Sequence, residues 1–172
     1  MAERIQRTYA IPTTPDAFLA ALASPDLVRR RSEAVGLGTE VVTHKATPQS
    51  VRIVTSGEVP LDWLPAAVTS RLSGTPTVQR HEEWVRDGEG ARSPLTFAFS
   101  GMPVTCAGDA RLSPDSSGAE TGCRLDIDLT LRVDVPLVGG LVERAVAPQV
   151  ARAFDNEAAF YGGSMGQPPS DG

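Results

Sequence analysis

The chain has 172 residues, of which 41% are hydrophobic and 22% charged, with a net charge of -5. One domain around one core suits that length. No stretch approaches the about 20 consecutive apolar residues of a membrane span, and the excess of acid lacks the basic face of a nucleic-acid binder. The start, Met1-Ala2-Glu3-Arg4-Ile5-Gln6-Arg7, has no apolar signal core, so a cytoplasmic location is expected. Cys106 and Cys123 form no CxxC and are too few for a disulfide scaffold; reduced thiols are the natural reading.

In chain order, Arg4 to Ile11 reads as a strand stopped by Pro12. Thr14 is a plausible N-cap, with Pro15 at the first helical position and Asp16 in the first turn. Phe18, Leu19 and Leu22 give that short helix its apolar stripe, up to about Ser24. A second helix is expected from Leu27 to Val35, ended by Gly36 and Gly38, with Arg29, Arg30 and Arg31 on a solvated face. Strands follow at Thr39–Lys45 and Ser50–Glu58, joined by Thr47-Pro48. Val59 to Pro65 breaks regular structure and reads as a lid or side wall, followed by a short helix to Leu72. Thr77–Arg86, Leu95–Ser100 and Val104–Leu112 are further strands, and Ser113–Gly122 a polar loop.

From Cys123 to Val135 every odd residue is apolar and every even one polar, which is a long strand with one buried face. Centring the last hairpin on Ser113–Gly122 sets Leu112 opposite Cys123, Ala110 opposite Leu125, Gly108 opposite Ile127 and Cys106 opposite Leu129. The small residues Gly108 and Ala110 then leave room for a helix or a ligand, and the two cysteines stand too far apart to bond. Asp126, Asp128 and Asp134 are expected on the solvated outer face. After Pro136-Leu137-Val138-Gly139-Gly140 the spacing becomes helical up to Tyr161, with Val142, Val146, Val150, Phe154 and Ala158 at i+4. Such a helix is about 32 Å long, and Pro148 predicts a kink near Arg144. Gly162 to Gly172 reads as a disordered tail, leaving residues 1–161 as a single domain.

This order of elements suits an α+β fold of the helix-grip type, with a curved antiparallel sheet of six to seven strands around a long C-terminal helix. The stretch from Leu125 to Glu143, with its Val135-Pro136-Leu137-Val138-Gly139-Gly140 junction and the acidic Glu143 after it, resembles a bacterial family of uncharacterised domains. Glu82-Glu83-Trp84 is similar to that family as well. The family belongs to the START-like, polyketide-cyclase and lipid-transport superfamily. The resemblance implies the fold over about Arg4 to Tyr161; it carries over no functional residue, and Pro148 departs from it.

Motifs for chemistry are few. Gly162-Gly163-Ser164-Met165-Gly166 matches GxSxG but follows the last helix, and both histidines precede it. Gly36-Leu37-Gly38 lacks the third glycine and the helix of a dinucleotide loop. His81 has no second histidine at i+4, so no zinc helix forms. Cys123, expected on the buried face, behaves as a small hydrophobe.

The reading is therefore a binding module for a small apolar or amphipathic ligand, held between the sheet and the last helix by Phe97, Leu125, Ile127, Leu129, Val146, Val150 and Phe154, with Trp63 near the entrance. No catalytic residue, metal or cofactor is assigned, and neither a nucleic-acid partner nor membrane insertion is expected. The alternatives are a cyclase- or dehydratase-like enzyme using His44, His81 and Glu83, or a protein-interaction domain without a ligand.

Overall fold

A computed structural model describes residues 2–37, 39–115 and 122–165. The chain runs β1 (Glu3–Ile11), α1 (Pro15–Leu22), α2 (Pro25–Val35), β2 (Glu40–Ala46), β3 (Ser50–Glu58), a 3-10 turn (Leu61–Trp63) and α3 (Ala66–Thr69). It continues through β4 (Thr77–Asp87), β5 (Gly90–Ser100), β6 (Val104–Pro114), β7 (Cys123–Val133) and α4 (Gly139–Met165). All neighbouring strands are antiparallel, in the spatial order β1-β7-β6-β5-β4-β3-β2. This is the expected helix-grip arrangement: hairpins build the curved sheet outward, β1 adds to its far edge, and α4 crosses the inner face. No helix among the described residues is long and apolar enough to cross a membrane.

Local chemistry sets the helix ends. The Thr14 hydroxyl accepts the Ala17 N–H at 3.2 Å, and the Ser24 hydroxyl accepts that of Leu27 at 3.4 Å, each followed by proline at the first helical position. Gly36 ends α2 at φ +73°, the left-handed geometry that glycine adopts without penalty.

On β7 the odd residues from Cys123 to Val133 are all buried and the even ones face outward. The outward acids are partly exposed and tied to the neighbouring strand: Arg4 donates to Asp128 at 2.9 Å and Thr8 to Asp126 at 2.7 Å. The β6–β7 register differs from the expected one by two residues, because β6 runs on to Pro114, which pairs with Cys123. Leu112 then faces Leu125, Gly108 faces Leu129 and Cys106 faces Leu131. A slip of two keeps every side chain on its face. Gly108 leaves no room for a ligand: a side chain there would collide with the Asp128 carbonyl, so the glycine serves close approach of the two strands.

β5 begins five residues before the expected Leu95 and runs through Pro94. Proline has no N–H to give the ladder, and beside it the Ser93 hydroxyl accepts the Glu83 N–H at 2.8 Å. α4 continues through Pro148 as one helix and extends past Tyr161 to Met165. Gly162 and Gly163, expected in the tail, are therefore helical; residues 166–172 lie outside the described residues.

The backbone of α4 comes closest to β1, β7 and α2, and Tyr9 on β1 donates to Asp155 of α4 at 2.6 Å. At the β7–α4 junction, Gly139 donates to the Val135 carbonyl at 2.8 Å and closes a tight turn over Leu137, which is fully exposed at φ +69°. The buried Glu143 reaches back and accepts the Val133 N–H at 2.8 Å. Among the described residues β1 pairs no further along β7 than Leu131, so that N–H takes the Glu143 carboxylate as its acceptor. Glu143→Ala strands it and lowers stability by about 1–3 kcal/mol, whereas Glu143→Gln keeps an acceptor and most of the stability; urea unfolding of the two variants checks this.

Candidate functional site

Three arginines in a row begin α2's last two turns, and 100° per residue sends them in different directions. Arg29 and Arg30 lie in solvent, paired with Asp26 and Glu33. Arg31 is 1% exposed. It shares the inner face with Leu27 and Val28, so it is no part of the solvated face that the sequence suggested. Its Nη2 donates to Glu82 Oε2 at 2.6 Å, and its Nη1 donates to Glu82 Oε1 and to the Tyr161 hydroxyl, both at 3.2 Å.

The rest of the cluster comes from β4 and α4. Arg80 Nη1 donates to Glu157 Oε2 at 2.5 Å, and its Nη2 to Glu157 Oε1 at 3.0 Å and to Glu82 Oε1 at 3.1 Å. The Tyr161 hydroxyl donates to Glu157 Oε1 at 2.9 Å, and the Trp84 indole N–H to Glu82 Oε1 at 3.2 Å. Phe18 closes over the group, its ring 4.8 Å from that of Tyr161 and 5.8 Å from that of Trp84. Two arginines and two glutamates thus sit inside the protein with their charges matched. Burial by itself would raise the Glu82 carboxyl, but Arg31 and Arg80 outweigh it and hold the group down at about 2. Burial raises the Tyr161 phenol well above its ordinary value.

Beside this cluster lies an apolar cavity. Arg80 and Glu157 form its polar end; Phe97, Phe99, Met102, Val146, Val150 and Phe154 line most of the rest. Val59, Trp63 and Leu64 close one side, as the side-wall reading of Val59–Pro65 anticipated, and Val35 and Leu37 complete it from the end of α2. Its position follows from the lean of α4: with the helix backbone against β1 and β7, the gap opens over β4, β5 and β6. The free space is about 40 Å³, room for a water or a few atoms. The Arg80 guanidinium carbon stands 5.3 Å from the Phe154 ring centre and 5.9 Å from that of Phe97. Cys106 also faces the cavity, and burial pushes its thiol up to about 12, so it stays protonated and is no nucleophile at neutral pH.

Of the residues expected around a ligand, Trp63, Phe97, Val146, Val150 and Phe154 border the cavity. Leu125, Ile127 and Leu129 do not. They are buried in solid core further along β7, opposite Leu112, Ala110 and Gly108, whereas the cavity reaches β6 only at Val104 and Cys106. His81 and Glu83 are exposed on the outer face of β4, and His44 donates from Nε2 to the Leu22 carbonyl at 2.8 Å. None of the three borders the cavity, which removes them as an interior acid–base set. The residues that sequence reasoning missed are Arg31, Arg80, Glu82 and Glu157. Their signal was period: Arg80 and Glu82 fall on the same i+2 face as Val78 and Trp84, and Glu157 falls on the stripe between Phe154 and Tyr161.

Residues 6–162 match the family model described as "Protein of unknown function (DUF2505)". An uncharacterized protein of Mycobacterium tuberculosis is 30% identical over 112 residues, which cover 64% of this chain and 63% of that protein. The match thus spans less than two thirds of the curated relative's length. Among solved structures, the Zhui aromatase/cyclase from Streptomyces sp. R1128 is similar with a TM-score of 0.59 at 12% identity, covering 95% of this chain and 93% of that one. Norcoclaurine synthase from Thalictrum flavum is similar with a TM-score of 0.50 at 13% identity, covering 92% and 86%. Identities this low show a shared fold.

Removing one member of a buried, matched set leaves a bare charge inside. Arg31→Met should therefore cost about 3–5 kcal/mol in urea unfolding, while Arg29→Ala, two residues away in solvent, should leave the midpoint unchanged. The depressed Glu82 carboxyl also fixes an acid limb. Its stabilising contribution is complete above its ordinary value of 4.5 and is lost as pH falls from there towards about 2. Unfolding midpoints between pH 4.5 and 2.5 should fall more steeply for the native chain than for the Arg31→Met/Glu82→Gln double variant.

Proposed function

The chain belongs to the DUF2505 family, and we propose that it binds a small apolar or amphipathic molecule in the cavity between β4–β6 and α4. The observation that carries this reading is the cavity wall itself: aromatic and aliphatic side chains around one polar end, the usual make-up of a ligand pocket. The space is small, but its wall is yielding. The 3-10 turn Leu61–Trp63 buries no residue fully, so Trp63 can move outward between the buried anchors Val59 and Leu64. Met102 adds an adaptable thioether to the wall. The similar cyclase and synthase folds support a role for the interior of such a sheet.

Binding is favoured over acid–base chemistry by the state of the polar groups. Glu82 and Glu157 are already committed to arginine and tyrosine donors, and the Cys106 thiol is held protonated.

Titration with the neutral fluorophore N-phenylnaphthylamine should show saturable binding to a single site with enhanced emission. Val150→Phe, which fills the cavity from α4, should weaken that binding at least about tenfold, the loss of roughly 1.4 kcal/mol, without lowering the unfolding midpoint below that of a control such as Val42→Phe on the exposed face. Absent or unsaturable binding, or binding indifferent to Val150→Phe and to Ala153→Leu, would overturn the reading.

A further inference from the structure

We infer that the cavity selects an electrically neutral ligand bearing one hydrogen-bond acceptor oxygen, a ketone, ester or amide type of group, which it presents to the Nε–H of Arg80. The inference rests on the binding role proposed above and specifies the chemistry of what is bound.

Arg80, with Glu157, stands at the junction between the charge cluster and the cavity. Its two terminal nitrogens are engaged with Glu157 and Glu82. Its Nε is buried and, among the described residues, is the one buried side-chain nitrogen or oxygen with no hydrogen-bond partner. An unpartnered donor of this kind is costly to leave unmade. The side chain is held in place between its carboxylate partners and the Phe97 and Phe154 rings, so it has no freedom to turn and satisfy Nε elsewhere. Arg80 also borders the cavity, and because Nε has almost no free space beside it as the cavity stands, the ligand oxygen that becomes its partner must take that space on binding.

The charge of that oxygen follows from the balance behind it. Arg31, Arg80, Glu82 and Glu157 sum to zero, and each carboxylate already faces a guanidinium. A carboxylate or phosphate ligand would add an uncompensated negative charge close to the two glutamates, in a wall that is otherwise apolar. A plain hydrocarbon would leave Nε stranded. A neutral acceptor avoids both penalties, and it discriminates against free fatty acids, which an apolar slot alone would accept.

The test uses three probes of one shape: acetylnaphthalene, isopropylnaphthalene and naphthoate, each measured by displacement of N-phenylnaphthylamine from the full chain. The ketone should bind more tightly than naphthoate. The ratio of hydrocarbon to ketone dissociation constants should fall about tenfold in Arg80→Lys, which keeps the positive charge and loses the Nε donor. A ratio unchanged by Arg80→Lys, or naphthoate as the tightest of the three, would overturn this inference while leaving the binding role intact. Failure of all three probes to displace the bound fluorophore would overturn this inference alone, whereas absence of saturable fluorophore binding would overturn both. Should Arg80→Lys fail to fold, the order of ketone and naphthoate on the native chain decides the matter alone.

Discussion

The fold turns on the pairing of Arg31, Arg80, Glu82 and Glu157 inside the protein. These residues come from three elements far apart in sequence: α2, β4 and α4. A buried charge without its partner costs several kcal/mol, so each element is tolerable in place only when the others have arrived. Apolar contacts between α4 and the sheet are many and individually forgiving. The bonds from Arg31 and Arg80 to the two carboxylates are few and directional, with distances of 2.5 to 3.2 Å. They therefore set the rotation of α4 and the seat of α2 more sharply than packing does. Tyr161 and Trp84 add neutral donors, and Phe18 seals the group from α1.

The cavity is a consequence of the same constraint. Tyr9 and Arg7 hold α4 to β1 through Asp155, while Arg80 holds it to β4 through Glu157. The helix is thus tied at both sides of its C-terminal half, and its backbone leans on β1 and β7. What lies under the lean is filled on the β7 side by leucines and isoleucine and left incompletely filled over β4 to β6. The polar end of the cavity is the flank of the cluster that fixes the helix. Structural support and recognition chemistry therefore share Arg80 and Glu157, and neither role can be altered without touching the other.

Much of this was legible in the sequence where a local rule acts alone. Period-2 alternation on β7, the hydroxyl cap with proline at Thr14, and the glycine stop at Gly36 each follow from near-neighbour chemistry. The β6–β7 register came out two residues away because the alternation constrains parity and not offset; the choice among even offsets is made by where the hairpin turns, and Pro114 stays in the strand. Arg31 was hidden by its neighbours. A run of three arginines reads as a charged face, although only the spacing from Leu27 and Val28 shows which of them turns inward. Five of the eight expected lining residues border the cavity, and the three that do not share one error: the sheet face was read correctly, but a face about 33 Å long has two ends.

Sharing a charge-balanced cluster with a pocket has a physical result that neither would have alone. A hydrophobic slot ranks ligands by apolar area and is nearly blind to head group. A lone buried arginine would invite any anion. Arg80 does neither, because its charge is already answered by Glu157 and Glu82, and only the directional part of its bonding, the Nε–H, remains open. What is left to recognise is geometry without charge, one acceptor at one angle, in surroundings where a misplaced or ionised group has nothing to offset its lost water. Selectivity of that kind needs no histidine, no thiolate and no wide chamber; it needs the cluster to stay ionised and α4 to stay where the cluster puts it.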